Sequence, residues 1–223
     1  ALVWQDTRTQ NICDELKEIT ELEESFTKTG LPIATYFTFS KILWLLRNVD
    51  EVKQARQDND LSFGTIDSWL LFKLTGEHVT DVTNASRTLL MDLETLNWMK
   101  NILTTLDIPE NSLPEIKPSL YNFGTNSDLL KNVPLTTVLG DQQAALFGQN
   151  CIKPDDVKNT YGTGCFALTS TGNKIIHSNN GLLSTVAYQK DGENPQYALE
   201  GSVSIAGAAV QWLRDNLNLI ENS

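Results

Sequence analysis

The sequence predicts an α/β protein in which a helix-rich first part precedes a second part made mostly of short strands. Apolar residues recur at helical spacing in the first part, whereas short apolar runs separated by turn residues dominate the second. The 223 residues are 40% hydrophobic, which is enough for a core in one or two domains. Pro154 and two neighbouring acidic residues interrupt the pattern, so we expect two domains, at 1–150 and 151–223.

The helices of the first part are predicted from apolar stripes and from residues that begin or end helices. Residues 1–4 form an apolar run that predicts a short buried strand, and Thr7 or Thr9 then begins a helix. Gly76 suits the left-handed position that follows a helix. Three further helices are predicted, at 40–54, 66–74 and 97–106.

The second part is predicted to contain strands enclosed by two helices. A strand at 135–139 leads into a helix at 141–149, and Ser202 begins a final helix that runs to residue 219. Asn180-Gly181 and Asp191-Gly192 are dipeptides typical of tight turns. Four strands are predicted, at 158–161, 166–170, 183–188 and 196–199. The residues of the final helix predicted to face inward are Ile205, Trp212, Leu213 and Leu217.

The composition argues against several classes of function. A net charge of −11 and a pI near 4.6 disfavour nucleic acid or an anionic membrane as a partner. No apolar run approaches the roughly 18 residues of a membrane span, and no signal peptide is visible. Cys13, Cys151 and Cys165 are odd in number and far apart, so we expect free thiols and a cytoplasmic location.

Asp141 is the first candidate for chemistry, because only Gly140 separates it from the strand predicted at 135–139. Ligands of open α/β folds bind beyond the carboxyl ends of strands, and a carboxylate there can accept a hydroxyl proton. The alternative is that Asp141 is a helix N-cap, since aspartate is common at that position. Gln142 and Gln143 add polar groups at the same point.

Two glycine-containing stretches are candidates for phosphate or nucleotide binding. In Gly162-Thr163-Gly164 the backbone N–H groups can receive phosphate oxygens and the threonine adds a hydroxyl, although an ordinary hairpin turn is the alternative. Gly207 and Gln211 lie one helical turn apart beside small alanines, where a nucleotide can rest. Close packing of a neighbouring element explains that small surface equally well.

Several stretches resemble the FGGY family of carbohydrate kinases. Residues 36–48, Tyr36-Phe-Thr-Phe-Ser-Lys-Ile-Leu-Trp-Leu-Leu-Arg-Asn48, fit a family signature of aromatic, Thr, Lys, apolar-x-Trp and Arg-Asn. The resemblance implies the two-lobed, actin-like and ribonuclease-H-like ATPase fold, incomplete at both ends in this chain. It continues in fixed order through 63–69, 80–88, 140–148, 158–166, 197–202 and 211–215.

The resemblance also implies an activity, namely the phosphorylation of glycerol to sn-glycerol 3-phosphate with ATP and Mg²⁺, with Asp141 as the general base. An apolar wall and a phenol hydroxyl would hold the polyol. The implied glycerol-binding residues are Trp4, Tyr36, Asp141, Gln142 and Phe166. The implied residues at ATP or ADP are Gly162, Thr163, Gly164, Gly207 and Gln211.

Family features that this sequence lacks define further expectations. The family's N-terminal phosphate hairpin would lie before Ala1 and its adenosine-binding segment beyond Ser223, so we expect this span alone to be inactive. We also expect the full-length protein to be a homo-oligomer. A loop for an allosteric sugar bisphosphate is not evident in 129–137. Two alternatives stay open: a kinase of a pentulose or sugar acid, and a truncated or non-catalytic binding protein.

Overall fold

The computed structural model describes residues 1–125 and 133–222. In these ranges a helical first part packs against an antiparallel sheet formed by the second part. The helices are α1 (Gln10–Lys17), α2 (Glu23–Lys28), α3 (Thr38–Asn48), α4 (Asp50–Gln57), α5 (Ile66–Thr75), α6 (Val82–Ala85), α7 (Lys100–Thr105), α8 (Asp141–Gly148) and α9 (Gly207–Asp215). The strands are β1 (Val79–Asp81), β2 (Glu115–Lys117), β3 (Val157–Tyr161), β4 (Cys165–Gly172), β5 (Leu183–Tyr188) and β6 (Gln196–Val203).

The main sheet has four antiparallel strands in the order β3-β4-β6-β5, and β1 pairs with β2 in a separate parallel pair. All four strands predicted for the second part are therefore confirmed, with β4 and β6 longer than expected. Gly181 and Gly192 have φ of 80° and 74°, as their predicted turns require. Helix α8 covers the sheet through an apolar cluster of Leu146, Leu168, Ala187 and Ala198.

The two parts of the chain share buried contacts. Val82, Ala85 and Met91 of the first part pack with Val186 and Tyr197 of the second. The Tyr197 hydroxyl donates to the Leu93 carbonyl at 2.7 Å. Because such packing buries apolar surface and satisfies polar groups at once, it fixes how the cavity-forming elements of the two parts meet.

The larger core belongs to the helical first part, where it explains the apolar stripes of the sequence. Its members come from α1, α2, α3 and α7 and from the segments between them. The most deeply buried include Leu16, Leu22, Phe39, Leu89, Leu90 and Ile102.

Gly30 is required where the two parts touch. Its φ is +73°, and its carbonyl accepts the Ser184 N–H at 2.9 Å. A Cβ at residue 30 would lie 2.6 Å from the Ser184 carbonyl oxygen. Both the left-handed backbone and the close approach therefore exclude a side chain.

The strand predicted for residues 1–4 is wrong. Val3 is 61% exposed and Trp4 is 45% exposed, and the Asp6 N–H closes a turn onto the Val3 carbonyl at 3.0 Å. An apolar tetrapeptide becomes a strand only when a neighbouring strand pairs with it. The described chain places no strand beside it.

The single helix predicted for 40–54 is two helices, α3 and α4. The break is at Val49, whose φ and ψ of −116° and 114° are extended. A β-branched residue adopts this conformation readily, and Asp50 then begins α4 with a carboxylate in its first turn. The apolar stripe is continuous in the sequence because Val49 and Val52 keep helical spacing across the break.

The strand predicted for 135–139 is also wrong. Leu135 exchanges backbone hydrogen bonds with Phe123 and Gly124, but the pairings there are isolated, at Leu120 with Thr137 and Thr125 with Pro134. Proline has no N–H to donate, so it interrupts a ladder. The expectation of no sugar-bisphosphate loop in 129–137 lies partly outside the described residues.

The predicted final helix begins five residues too early. Ser202 lies in β6, where it pairs with Phe166, and α9 begins only at Gly207. The prediction that Ile205, Trp212 and Leu217 face inward is wrong, since they are 67%, 51% and 45% exposed. The N-terminal end of α9 packs through its small residues instead, as described below.

Candidate active site

An open cavity with a volume of about 680 Å³ is lined from both parts of the chain. Its wall combines apolar side chains of α5 with polar groups from α6, α8 and β6. This composition is typical of small-molecule sites, in which a few polar groups converge on an apolar surface. The lining residues that matter below are Trp4, Tyr36, Arg87, Asp141, Gln142 and Glu200.

Asp141 is the first residue of α8, and its side chain is exposed to the cavity. The N-cap position belongs to Gly140, and no capping hydrogen bond from a side chain is found there. The alternative that Asp141 serves as the helix cap is therefore wrong. The carboxylate accepts one hydrogen bond at Oδ2, from Gln142 Nε2 at 3.0 Å. A helix N-terminus also favours a negative charge.

Asp81 fixes the position of α8 through Thr83. The Gly140 N–H donates to Thr83 Oγ1 at 2.8 Å, and that hydroxyl donates to Asp81 Oδ2 at 2.8 Å. Asp81 also accepts from the Asn84 N–H and from Ser119 Oγ, at 2.9 Å and 2.7 Å. Burial raises the pKa of Asp81, while the hydrogen bond from Ser119 and those from the backbone oppose that rise.

The buried Gln143 joins α8 to the sheet. Its Nε2 donates to Thr185 Oγ1 at 3.2 Å, and that hydroxyl lies 2.9 Å from Ser86 Oγ. A Cβ on Gly140 would come within 2.6 Å of Gln143 Oε1, so glycine leaves room for this amide. Gln143 thus anchors α8 to the sheet, while the first turn of the helix faces the cavity.

Trp4 and Tyr36 form an aromatic wall of the cavity. Their ring centroids are 5.4 Å apart at an interplanar angle of 57°, and Tyr36 packs edge-on against Phe37 at 5.2 Å. Burial raises the pKa of Tyr36, and the charge and hydrogen bonding of Arg87 partly oppose that effect. The phenol therefore stays protonated at neutral pH and can donate a hydrogen bond.

Arg87 and Glu200 form an ion pair between the two parts of the chain. Arg87 Nη2 donates to Glu200 Oε1 at 2.8 Å, and the guanidinium also lies 5.8 Å from the centre of the Tyr36 ring. The Glu200 side chain is only 2% exposed. In the described chain, Arg87 Nη1 and Glu200 Oε2 are buried without a hydrogen-bond partner.

Lys158 is a second buried cation near the cavity, and it is 2% exposed. Its Nζ donates to Gln142 Oε1 at 2.6 Å, to Thr160 Oγ1 at 2.9 Å and to the Phe166 carbonyl at 3.3 Å. Burial lowers the pKa of Lys158, and the charges of Glu200 and Asp141 oppose this shift.

Residues Gly162–Gly164 form the turn of the β3–β4 hairpin. The backbone of this stretch is therefore that of a hairpin turn, which was the alternative to a phosphate-binding turn. Helix α9 sits on it: the Ala206 N–H donates to the Thr163 carbonyl at 2.8 Å, and the Gly207 N–H donates to the Gly162 carbonyl at 3.0 Å. A Cβ on Gly207 would lie 2.4 Å from that Gly162 oxygen. Close packing thus accounts for the glycine at 207.

The predicted site residues fall into two groups. Trp4, Tyr36, Asp141 and Gln142 line the cavity. Gly162, Thr163, Gly164 and Gly207 meet at the hairpin turn, with Gln211 one turn further along α9. Phe166 belongs with the second group, since its ring edge would be 3.3 Å from a Cβ on Gly164.

Arg87, Lys158 and Glu200 were not singled out from the sequence, although each lies in a stretch that carried the family resemblance. The available signal was clearest at Glu200, a charged residue at a strand position between Leu199 and Gly201. Such residues are seldom buried without specific partners.

The described residues were also compared with the requirements of a metal site. In residues 1–125 and 133–222, no three His, Cys, Asp or Glu side chains gather to hold a metal ion. Mg²⁺ is commonly held by substrate phosphates with one or two carboxylates, so it does not require such a cluster. We assign no protein ligand to such an ion.

Comparison with known protein families shows which family this chain belongs to. The N-terminal domain of the FGGY family of carbohydrate kinases matches residues 1–148, and the C-terminal domain of that family matches residues 157–223. The chain belongs to the FGGY family of carbohydrate kinases. Arg87 and Glu200 therefore pair across the two FGGY domain matches, and so do Gln142 and Lys158.

Curated relatives in the FGGY family include glycerol kinases. The chain is 53% identical to the glycerol kinase of Brucella anthropi and 51% identical to that of Paenarthrobacter aurescens. Each match covers 100% of this chain and 46% of the relative. The chain thus spans about half the length of the curated relatives it matches.

A solved FGGY structure confirms the fold. The crystal structure of Plasmodium falciparum glycerol kinase with ADP matches with a TM-score of 0.91 and 42% identity, over 100% of this chain and 45% of that chain. The predicted two-lobed, actin-like α/β ATPase fold is therefore confirmed, in part of its length.

Two general expectations can also be compared with the structure. Cys13, Cys151 and Cys165 are all free, as predicted. Among the helices of the described ranges, none combines the length and the apolar character needed to cross a membrane.

Proposed function

We propose that the protein containing this chain transfers the γ-phosphoryl group of ATP to glycerol, giving sn-glycerol 3-phosphate, with Asp141 as general base. The observation that carries the proposal is an exposed carboxylate at a helix N-terminus in a cavity walled by aromatic rings. The glycerol kinases at 51–53% identity support the choice of substrate.

Glycerol binding is assigned to the cavity residues. Trp4 and Tyr36 offer an apolar face to the carbon backbone, and the protonated Tyr36 hydroxyl donates a hydrogen bond to a glycerol oxygen. Gln142 lies next to Asp141 and adds a polar contact. Phe166 is proposed as a further apolar contact for glycerol, although its ring lies beside the hairpin turn and outside the cavity lining.

Nucleotide binding is assigned to the second group of residues. We propose that Gly162, Thr163 and Gly164 receive the phosphates of ATP, and that Gly207 and Gln211 contact the nucleotide. The residues at 1–150 would then belong to the substrate-side lobe and those at 151–223 to the nucleotide-side lobe. The presence of ADP in the crystal structure of the Plasmodium falciparum glycerol kinase supports nucleotide use.

The reaction follows from this arrangement. The Asp141 carboxylate accepts the proton of a terminal hydroxyl while that oxygen attacks the γ-phosphorus, and the bond from phosphorus to the β-phosphate bridging oxygen breaks to release ADP. Positioning supplies most of the acceleration, because phosphoryl transfer needs the reacting oxygens in line. Mg²⁺ bound with ATP would supply neutralisation of the phosphate charge.

Further properties of the whole protein are proposals too. They are a cytoplasmic location, homo-oligomer formation, and inactivity of the 223-residue span by itself. A pentulose or sugar-acid kinase of the same family is the alternative function, and a non-catalytic binding fragment is the other.

The test is a coupled assay of ADP formation with glycerol, xylulose and gluconate, on the complete gene product and on this span. Glycerol is expected to give the highest kcat/KM in the complete product, while the span alone stays at background. Preference for xylulose or gluconate would establish the alternative instead. Turnover with none of the three substrates would support the non-catalytic protein.

A further inference from the structure

The buried ammonium of Lys158 has all its donors engaged. Its three hydrogen bonds, to Gln142 Oε1, Thr160 Oγ1 and the Phe166 carbonyl, range from 2.6 to 3.3 Å. An ammonium group has three N–H donors and no acceptor, so these oxygens use its full capacity. These three partners allow the charge to be buried, because removing a charge from water without partners is strongly unfavourable.

Lys158 determines which way the Gln142 amide points. The oxygen and nitrogen of an amide are distinguished by their partners, and a lysine can only donate. The amide oxygen of Gln142 must therefore face Lys158, and its NH₂ group must face elsewhere. That NH₂ group donates to Asp141 Oδ2 at 3.0 Å. The bond is made to one particular oxygen of the carboxylate and so restrains the rotation of the Asp141 side chain.

This chain of hydrogen bonds crosses between the two family domains. Asp141 and Gln142 lie in the N-terminal match, whereas Lys158 lies on β3 in the C-terminal match. Strand β3 ends at Tyr161 and leads directly into the turn at Gly162. The orientation of the Asp141 carboxylate is thus tied to the strand that carries the proposed phosphate-binding turn.

We propose that Lys158 is a positioning residue for phosphoryl transfer, which acts through Gln142 to hold the Asp141 carboxylate in one orientation. The inference rests on the proposed function, because it requires Asp141 to receive the hydroxyl proton. A misoriented base slows the chemical step without weakening the binding of ATP. The expected defect therefore lies in kcat and not in the KM for ATP.

Two variants of the complete gene product test this role in steady-state assays with ATP and glycerol. Lys158→Met keeps the apolar stem and removes the three donors, and its kcat is expected to fall about 30-fold with the KM for ATP within about twofold. Gln142→Glu keeps an oxygen for Lys158 and removes the N–H that Asp141 accepts. Its kcat is expected to fall similarly, with an unchanged melting temperature.

Two further variants separate positioning from a general structural effect. Lys158→Arg retains a cationic donor and is expected to recover part of the lost kcat. Lys153→Met removes an exposed lysine from the same segment and is expected to behave as wild type. If Lys158→Met does not fold, the kcat of Gln142→Glu tests the proposal instead. Gln142 is partly exposed at the cavity, so its substitution is expected to leave the protein folded.

The outcomes distinguish this inference from the function on which it rests. Wild-type kcat in Gln142→Glu, or a defect of Lys158→Met confined to the KM for ATP, overturns the positioning role. An inactive Asp141→Asn variant in the same experiment would then leave the proposed function standing. A wild-type protein that does not phosphorylate glycerol overturns both.

Discussion

Arg87 donates to Glu200 at 2.8 Å, and this ion pair joins the residues of the N-terminal FGGY domain to those of the C-terminal domain. Glu200 is almost completely buried, and the pair borders the cavity that contains Asp141. The site therefore depends on electrostatic contacts between the two domains as well as on the packing beneath them.

Removing the acid of this pair is expected to destabilise the protein. Glu200→Gln leaves the Arg87 charge without its counter-ion, so the free energy of unfolding should fall by about 3 kcal/mol. Glu15→Gln is the matched control, because it breaks the exposed pair with Arg47 and should change stability by less than about 1 kcal/mol. Urea denaturation measures both. Equal effects would contradict a structural role for the buried pair.

The same substitution is expected to change the free energy of unfolding much more at Asp81 than at Asp141. Asp81→Ala removes an acceptor shared by Thr83, Asn84 and Ser119 and should lower the free energy of unfolding by about 3 kcal/mol. Asp141→Ala, at an exposed position, should change it by less than about 1 kcal/mol. Urea denaturation of both variants measures the two changes in the free energy of unfolding. Comparable losses of stability at both sites would contradict this prediction.

Gly207→Ala tests the contact between α9 and the hairpin turn. The new Cβ would lie 2.4 Å from the Gly162 carbonyl oxygen, so either the turn or the helix must move. We expect the KM for ATP to rise about tenfold, through displacement of the proposed phosphate-binding turn. Gly148→Ala is the control, since a Cβ there meets nothing within 4 Å. An unchanged KM for ATP in Gly207→Ala would contradict a role of this turn in nucleotide binding.

The pH dependence of stability should carry a contribution from Lys158. Burial lowers its pKa below the ordinary value of a lysine, so the folded protein releases this proton at a lower pH than the unfolded chain. The unfolded state then binds more protons between the two pKa values, and stability rises with pH across that window. Wild type should therefore gain stability relative to Lys158→Met as the pH rises toward the ordinary pKa of a lysine. A difference that is constant with pH would contradict the shift.

Much of the fold could be predicted from local patterns. The four strands of the second part and helices α5 and α8 follow from alternation, helical spacing and glycine positions. Strands β1 and β2 were missed because each has only three residues and pairs with a partner distant in the sequence. The strand predicted at 135–139 was wrong because its backbone pairs only at isolated positions, which its sequence alone does not reveal.

The site could be predicted only in part. Asp141 and Gln142 were singled out by their residue types, and the structure places both in the cavity lining. Gly162, Gly164 and Gly207 were singled out as glycines, and they meet at the hairpin turn. Arg87, Lys158 and Glu200 were missed because their roles depend on which distant segments come together. Glu200, for example, meets Arg87 across 113 positions of sequence. Helix α9 was placed too early because β6 continues through Ser202 in order to pair with β4.

The central claim is that the Asp141 carboxylate takes the hydroxyl proton during phosphoryl transfer. The most direct measurement is the rate of glycerol-dependent ADP formation by the complete gene product and by its Asp141→Asn variant. We expect the variant to fold with an unchanged melting temperature and to lose activity by about 10³-fold or more. An Asp141→Asn rate close to wild type would contradict the claim.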